Sequence, residues 1–392
     1  MGTSSPLCQV QQRAKPNLSI PKYFRTLKDP RRRHRRLHVL QDILVIALCA
    51  VIAGAQDWQQ VETFGRKRRD WLRRFLRLPH GIPSHDTFER VFDRLDPQTF
   101  QLCFRQWIEA VRTAVPIAHV AIDGKTLRGS GAAKLGPLHL VSAWATAQRL
   151  TLGQVAVAEK SSEITAIPAL LELLELHGAW VTIDAIGCQK DIARAIRQRG
   201  GDYVLTVKDN RPHLLEDIQR TFAREFDTDF AGMEHDTYTS QERGHGRQER
   251  RCYTVLHFTD ELGQREDWPD VTTIGMCTSQ RTVQGVTTEE TRYFIGSKRA
   301  RAKTYGSVLR NHWKVENCLH WQLDVTFGED GNRVTRRRGA ENLALLRRLT
   351  LCLLQAHPAP LSIARKRFAA ALDPNFLEEI LAATLFWRSG DA

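Results

Sequence analysis

From Pro116 onward the chain changes its grammar, and that change restricts it to a mixed α/β fold. The run His119-Val-Ala-Ile-Asp123-Gly is short, β-branched and closes on a carboxylate and a turn. Residues 138–147 and 152–158 read as two more strands. Glu163 to His177 has its apolar side chains, Ile164, Ile167, Leu170, Leu171 and Leu174, at helical spacing. Trp180-Val-Thr-Ile-Asp184-Ala is a second β-branched run closing on a carboxylate. Cys188 to Arg199 is helical, and Asp202 to Val207 is a fifth strand. Three strands in succession are most simply antiparallel, whereas strands separated by a helix join as parallel neighbours. Both aspartates are expected at the C-terminal ends of strands, where α/β sheets tend to place active groups.

Residues 1–18 read as a flexible polar leader, and residues 19–115 as a helical, basic domain that contacts DNA. Residues 22–38 hold eight Lys/Arg against one Asp, and Arg66 to Arg77 holds seven more between Trp71, Leu72, Phe75 and Leu76. Ser84 is placed to cap the helix that carries Phe88, Val91, Phe92 and Leu95. Such a domain suits phosphate contact or a groove-reading helix-turn-helix; the residues leave both open. The formal net charge of +13 favours a polyanionic partner, nucleic acid first. The eight cysteines include no CxxC pair, which argues against a zinc ribbon or a disulfide scaffold. The apolar run from Ile43 to Ala55 is too short to span a bilayer, and the N-terminus has no apolar signal region. These features point to a cytoplasmic protein, nucleoid-associated when DNA-bound, with no membrane partner.

Residues 228–298 are rich in Thr, Tyr, Val and Arg, with apolar runs near 252–258, 271–277 and 290–296, and read as an inserted β subdomain. A helix over Arg310 to Asp330 follows. On it Trp313, Glu316, Asn317 and His320 fall at i, i+3, i+4 and i+7 and share one face. Trp313 and Trp321 read as core, and Glu329 and Asp330 as a solvated turn. The i, i+4 spacing of His312, Glu316 and His320 admits a transition-metal set, but that would leave both aspartates without a purpose. His312 and His320 read instead as DNA contacts or packing residues. A catalytic domain spanning 116–358 would then be followed by a C-terminal helical tail, 359–392.

Two strand-end aspartates and one helix-borne glutamate are the parts of a hard-cation site. Mg²⁺ prefers oxygen ligands and is held by few carboxylates plus substrate phosphate and water. Two such ions clamp the attacking and leaving oxygens of a phosphodiester, so the protein supplies no covalent nucleophile.

The segments VAIDGKTLRGS (120–130), EKSSEITAIPALLELLEL (159–176), VTIDAIGCQKDIA (181–193), TVKDNRP (206–212) and RNHWKVENCLHWQLDVTFGEDGNRVT (310–335) resemble the DDE transposases of bacterial insertion sequences, in the branch containing the H-repeat-associated proteins. The resemblance runs from about residue 20 to 385. It implies a ribonuclease-H-like catalytic core with an inserted β subdomain, preceded by an all-α domain. It implies a catalytic, metal-binding triad of Asp123, Asp184 and Glu316, with Mg²⁺ as cofactor and Mn²⁺ as a substitute. The implied activity is cleavage at insertion-sequence ends and strand transfer into target DNA by a homo-oligomer on double-stranded DNA. Many relatives surround the last acid with Tyr, Arg and Lys; those slots here hold Leu309, His312 and Leu323, and only Glu316 is in register. Lys125, Arg128, Arg310, His312 and Lys314 are the candidate DNA contacts. The alternative is a catalytically lapsed, DNA-binding remnant or regulator derived from a transposase.

Overall fold

The computed structural model of the chain describes residues 20–112, 117–131, 136–157, 163–244, 246–257 and 268–382. The expected leader lies outside them. The chain divides into two compact units, residues 117–348 and residues 1–116 with 349–392.

In the unit that contains both chain ends, every described element is helical. The N-terminal helices are α1 (Ile20–Phe24), α2 (Leu40–Ile52), α3 (Trp58–Lys67), α4 (Arg69–Leu72), α5 (His85–Phe92) and α6 (Pro97–Arg112). The apolar run that begins at Ile43 lies largely in α2, whose Ile43, Ile46, Ala47 and Cys49 are fully inaccessible. Trp58 packs on Phe92 at 4.6 Å and stacks on Phe88. Later in the chain come α11 (Arg337–Ala356), which crosses the unit boundary, then α12 (Ile363–Leu372) and α13 (Pro374–Ala382). The tail helices are tied to the N-terminal ones. Arg367 donates to the Val51 carbonyl at the end of α2 (3.1 Å), where a cation satisfies an orphan acceptor. Trp71 donates to Glu378 at 2.7 Å.

Within the basic segment 22–38, Asp29 holds Arg31 at 2.8 Å and Arg36 at 3.7 Å. One local expectation changes. Ser84 occupies the N-cap position of α5 but makes no capping bond; Glu62 of α3 accepts from the His85 amide at 2.7 Å in its place.

The other unit is built on one nine-stranded sheet in the order β3-β2-β1-β4-β5-β9-β8-β7-β6. The first five strands are β1 (His119–Leu127), β2 (Leu138–Ala145), β3 (Leu150–Val157), β4 (Trp180–Ile183) and β5 (Asp202–Val207). β1, β2 and β3 pair antiparallel, and β4 and β5 add in parallel. The helices α7 (Glu163–Glu172) and α8 (Lys190–Gln198) supply the crossovers, and α9 (Pro212–Asp227) follows β5.

Next come β6 (Glu234–Gly244), β7 (Arg247–His257), β8 (Thr273–Val283) and β9 (Val286–Gly296). They fall in the stretch read as an inserted β subdomain. They extend the same sheet, because β9 pairs antiparallel with β5 from Val204↔Gly296 to Val207↔Tyr293. The three apolar runs become β7, β8 and β9. β6 lacks such a run because it is an exposed edge strand.

Helix α10 (Ala302–His312) packs across this extension. Ala302, Tyr305 and Val308 bury themselves against Tyr253, Val255, Cys277 and Phe294. The approach is close: a Cβ on Gly306 would stand 2.9 Å from the Tyr253 ring. The helix is thereby fixed on one face of the sheet, and the segment that follows it carries Glu316.

Candidate active site

The β1–β4 register ends at Ile122↔Ile183, and the next residue on each strand is an aspartate. Asp123 and Asp184 therefore stand level on neighbouring parallel strands at the point where the strands part. Asp184 does lie at a strand end, exposed, at the head of a short 3-10 turn, Ala185–Gly187. Asp123 does not. It lies in mid-strand, because β1 runs on to Leu127 paired with β2, with Asp123 opposite Ser142. One strand continues and its neighbour leaves, so Asp123 lines a fork in the sheet.

Beyond α10 the backbone widens into two π-helical turns, Glu316–His320 and Gln322–Thr326. A π-turn bonds i→i+5 and rotates side chains away from α-helical phase. The expected shared face of Trp313, Glu316, Asn317 and His320 is therefore broken. Val315, Leu319, Leu323 and Phe327, four apart, turn inward and are buried. Trp313 and Trp321, expected in the core, are 45% and 51% exposed. Trp313 carries the Arg292 guanidinium 4.8 Å from its ring centroid, a cation–π contact.

The same winding brings Glu316 and His320 to Asp123. One oxygen or nitrogen from each of the three lies within 4.8 Å of the others. His320 Nδ1 is 3.5 Å from Asp123 Oδ2 and 3.7 Å from Glu316 Oε2. Burial pushes the Asp123 carboxyl up to about 6; Glu316 and Asp184 add to the rise and His320 opposes it. The His320 ring holds the Glu316 carboxyl below its ordinary range, helped by Lys125 and His312.

The candidate DNA contacts separate. Arg128 stays exposed, with Asp330 at 3.5 Å, and Lys314 is exposed. Arg310 is bound by Glu242 of β6 through two guanidinium nitrogens, at 3.2 and 2.5 Å. His312 is not placed to meet phosphate. It is buried, its Nδ1 lies 3.0 Å from the Thr182 hydroxyl, and burial lowers its pKa to about 4. The same hydroxyl lies 2.8 Å from Nε2 of His119, held neutral by burial with a pKa of about 3.

Lys125, another of the candidate contacts, is engaged inside the protein. It is buried on the Asp123 side of β1, with Nζ 2.5 Å from Asp324 and 3.6 Å from Asp330. It ties the strand of one acid to the segment that carries another. Lys125→Met is expected to lower unfolding free energy by about 1.5–3 kcal/mol, the usual worth of a charged hydrogen bond. Denaturant melts check this; an unchanged midpoint would show the tie to be idle.

Glu329 corrects a further expectation. It is not in a solvated turn but 2% exposed, bound at 3.2 Å to Arg348, itself fully buried. The loop it belongs to lies against β1's exit, where a Cβ on Gly129 would meet the Asn332 carbonyl at 2.1 Å.

Two family models match the chain, one described as DDE_Tnp_1-associated over residues 22–108 and one as transposase DDE domain over residues 115–353. The chain belongs to the DDE transposase family. Among its relatives, "Putative transposase YncI" of Escherichia coli O157:H7 is 37% identical over 375 residues, covering 93% of this chain and 95% of that one. "H repeat-associated putative transposase YhhI" of Escherichia coli K12 is 36% identical, covering 93% and 96%. Among solved structures, the piggyBac transposase synaptic complex with hairpin DNA aligns with a TM-score of 0.45 at 11% identity, over 97% of this chain and 83% of that one. Among the described residues no helix is long and apolar enough to cross a membrane.

DDE transposases as a family use divalent metal, and the donor set here is compatible with it. Asp123 is a half-buried carboxylate whose pKa is raised by desolvation and by neighbouring like charges, a condition that a cation relieves. His320 is the residue that sequence reasoning undervalued. Its signal was present in the four-residue spacing from Glu316, but the spacing was set against His312, which faces elsewhere.

Proposed function

We propose that this DDE family member is a metal-dependent DNA transposase, cleaving at the ends of an insertion sequence and joining the 3′ ends to target DNA. The observation that carries the reading is the fork at Ile122 and Ile183, which sets Asp123 beside Asp184 and receives Glu316 from the π-helical segment. The antiparallel β1–β3 with parallel β4 and β5 support a ribonuclease-H-like core, extended by β6–β9. In this reading Asp123 and Asp184 hold one or both cations and Glu316 completes the second site. Bound Mg²⁺, or Mn²⁺ in its place, supplies Lewis-acid activation of the phosphodiester and of the attacking water or 3′-hydroxyl. Lys125 keeps strand and helix in register. Arg128 and Lys314 are the exposed cations left to meet backbone phosphate, with the helical N-terminal region adding further contact. The working form is a homo-oligomer that brings two DNA ends together in the cytoplasm.

Asp123→Ala, Asp184→Ala and Glu316→Ala are each expected to lose metal-dependent nicking of the DNA that flanks the reading frame while still binding it. Retained nicking in all three would overturn the assignment. Specific binding without nicking in the wild-type protein, in either metal, would favour a catalytically lapsed regulator.

A further inference from the structure

We propose that His320 is a direct ligand of the cation held by Asp123 and Glu316, making this site two carboxylates and an imidazole rather than all oxygen. The inference deepens the metal-dependent reading above and rests on it.

The buried histidines of this unit give the contrast. His119 lies 2.9 Å from Thr146 and 2.8 Å from Thr182, His139 lies 2.8 Å from Thr126, and His312 lies 3.0 Å from Thr182. Each has a hydroxyl for a partner, as a packing histidine requires. His320 is 6% exposed and has no hydroxyl partner among the described residues; its Nε2 is buried without a hydrogen bond, as is that of His139, which faces the single carboxylate of Glu163. Among the described residues its Nδ1 faces two carboxylates, at 3.5 and 3.7 Å, longer than a good hydrogen bond. A ring that is buried, lacks a hydroxyl partner and converges with two acids is arranged for coordination rather than for packing. Its place is set by backbone, because the π-turn carries both Glu316 and His320.

Imidazole changes the selectivity of such a site. All-oxygen sets suit Mg²⁺, whereas nitrogen donors favour ions further along the first transition row. The mixed set therefore widens the preference for Mn²⁺ over Mg²⁺, and loss of the ring narrows it.

The test uses the full-length protein with Mn²⁺ as the probe and no DNA. Pulsed electron paramagnetic resonance on the wild-type complex is expected to show ¹⁴N coupling to bound Mn²⁺, and this readout needs no variant to fold. His320→Ala should abolish the coupling, weaken Mn²⁺ binding about tenfold or more, and leave Mg²⁺ binding less affected. Bound Mn²⁺ that Asp123→Asn displaces, yet that shows no ¹⁴N coupling, would overturn the proposal and leave the metal-dependent reading standing. No Mn²⁺ bound at a site sensitive to Asp123→Asn would overturn both.

Discussion

Glu329→Ala is expected to destabilise the protein by about 3–5 kcal/mol, the usual cost of stripping one partner from a buried ion pair. Arg348 is fully inaccessible, and its neighbour Arg347 is 3% exposed with its pKa lowered by burial. Without the Glu329 carboxylate, the buried Arg348 guanidinium loses the anion that stands 3.2 Å from it. The loss would reach the site, because Glu329 bonds its amide to the Leu323 carbonyl at the end of the π-helical segment (2.9 Å). Replacing both partners, Glu329→Gln with Arg348→Met, should recover much of the stability, since no unpaired charge remains. Equal denaturation midpoints for Glu329→Ala and the wild-type protein would contradict the account.

Asp123→Asn is expected to do the opposite to stability and to abolish nicking. With no metal bound, the folded-state pKa of about 6 lies above the ordinary 3.8. The native state therefore holds a proton that the unfolded chain releases between those values. Stability falls as pH rises through that window and stays lost above it, by about 3 kcal/mol for a shift of about two units. Asn has nothing to ionise. In chelator at pH 8 the variant should exceed the wild-type protein by up to about 3 kcal/mol, and near pH 5 by about half of that. A site that weakens its own fold in this way trades stability for ligand binding. A variant no more stable than the wild-type protein at pH 8 would show that Asp123 carries no such strain.

Much of the sheet-bearing unit is legible in the chain. Strand runs and intervening helices gave the β1–β5 order because β-branched patches and 3.6-residue periodicity are local signals. What stayed hidden depends on contacts between distant segments. The pairing of β9 with β5 joins residues 204–207 to 293–296, and no local pattern marks it. The burial of Lys125 is set by Asp324 and Asp330, and that of Glu329 by Arg348. The π-turns are a different case. Val315, Leu319, Leu323 and Phe327 recur every four residues rather than alternating three and four. That spacing is visible in the sequence, but the prominence of Trp313 and Trp321 favoured an α-helical phase that put them inside. Strand contexts and family motifs singled out Asp123, Asp184 and Glu316 as candidates. The meeting of Asp123 with Glu316 and His320 depends on the fold.

The measurement that bears most directly on the central claim is a strand-transfer assay. The DNA flanking the reading frame serves as donor and a plasmid as target, with Mg²⁺ or Mn²⁺, and the wild-type protein is run beside Asp184→Ala. The account predicts metal-dependent joined product from the wild-type protein and none from the variant, because joining requires a 3′-hydroxyl brought to the phosphodiester over Asp123 and Asp184. Joined product of equal yield from Asp184→Ala would contradict it.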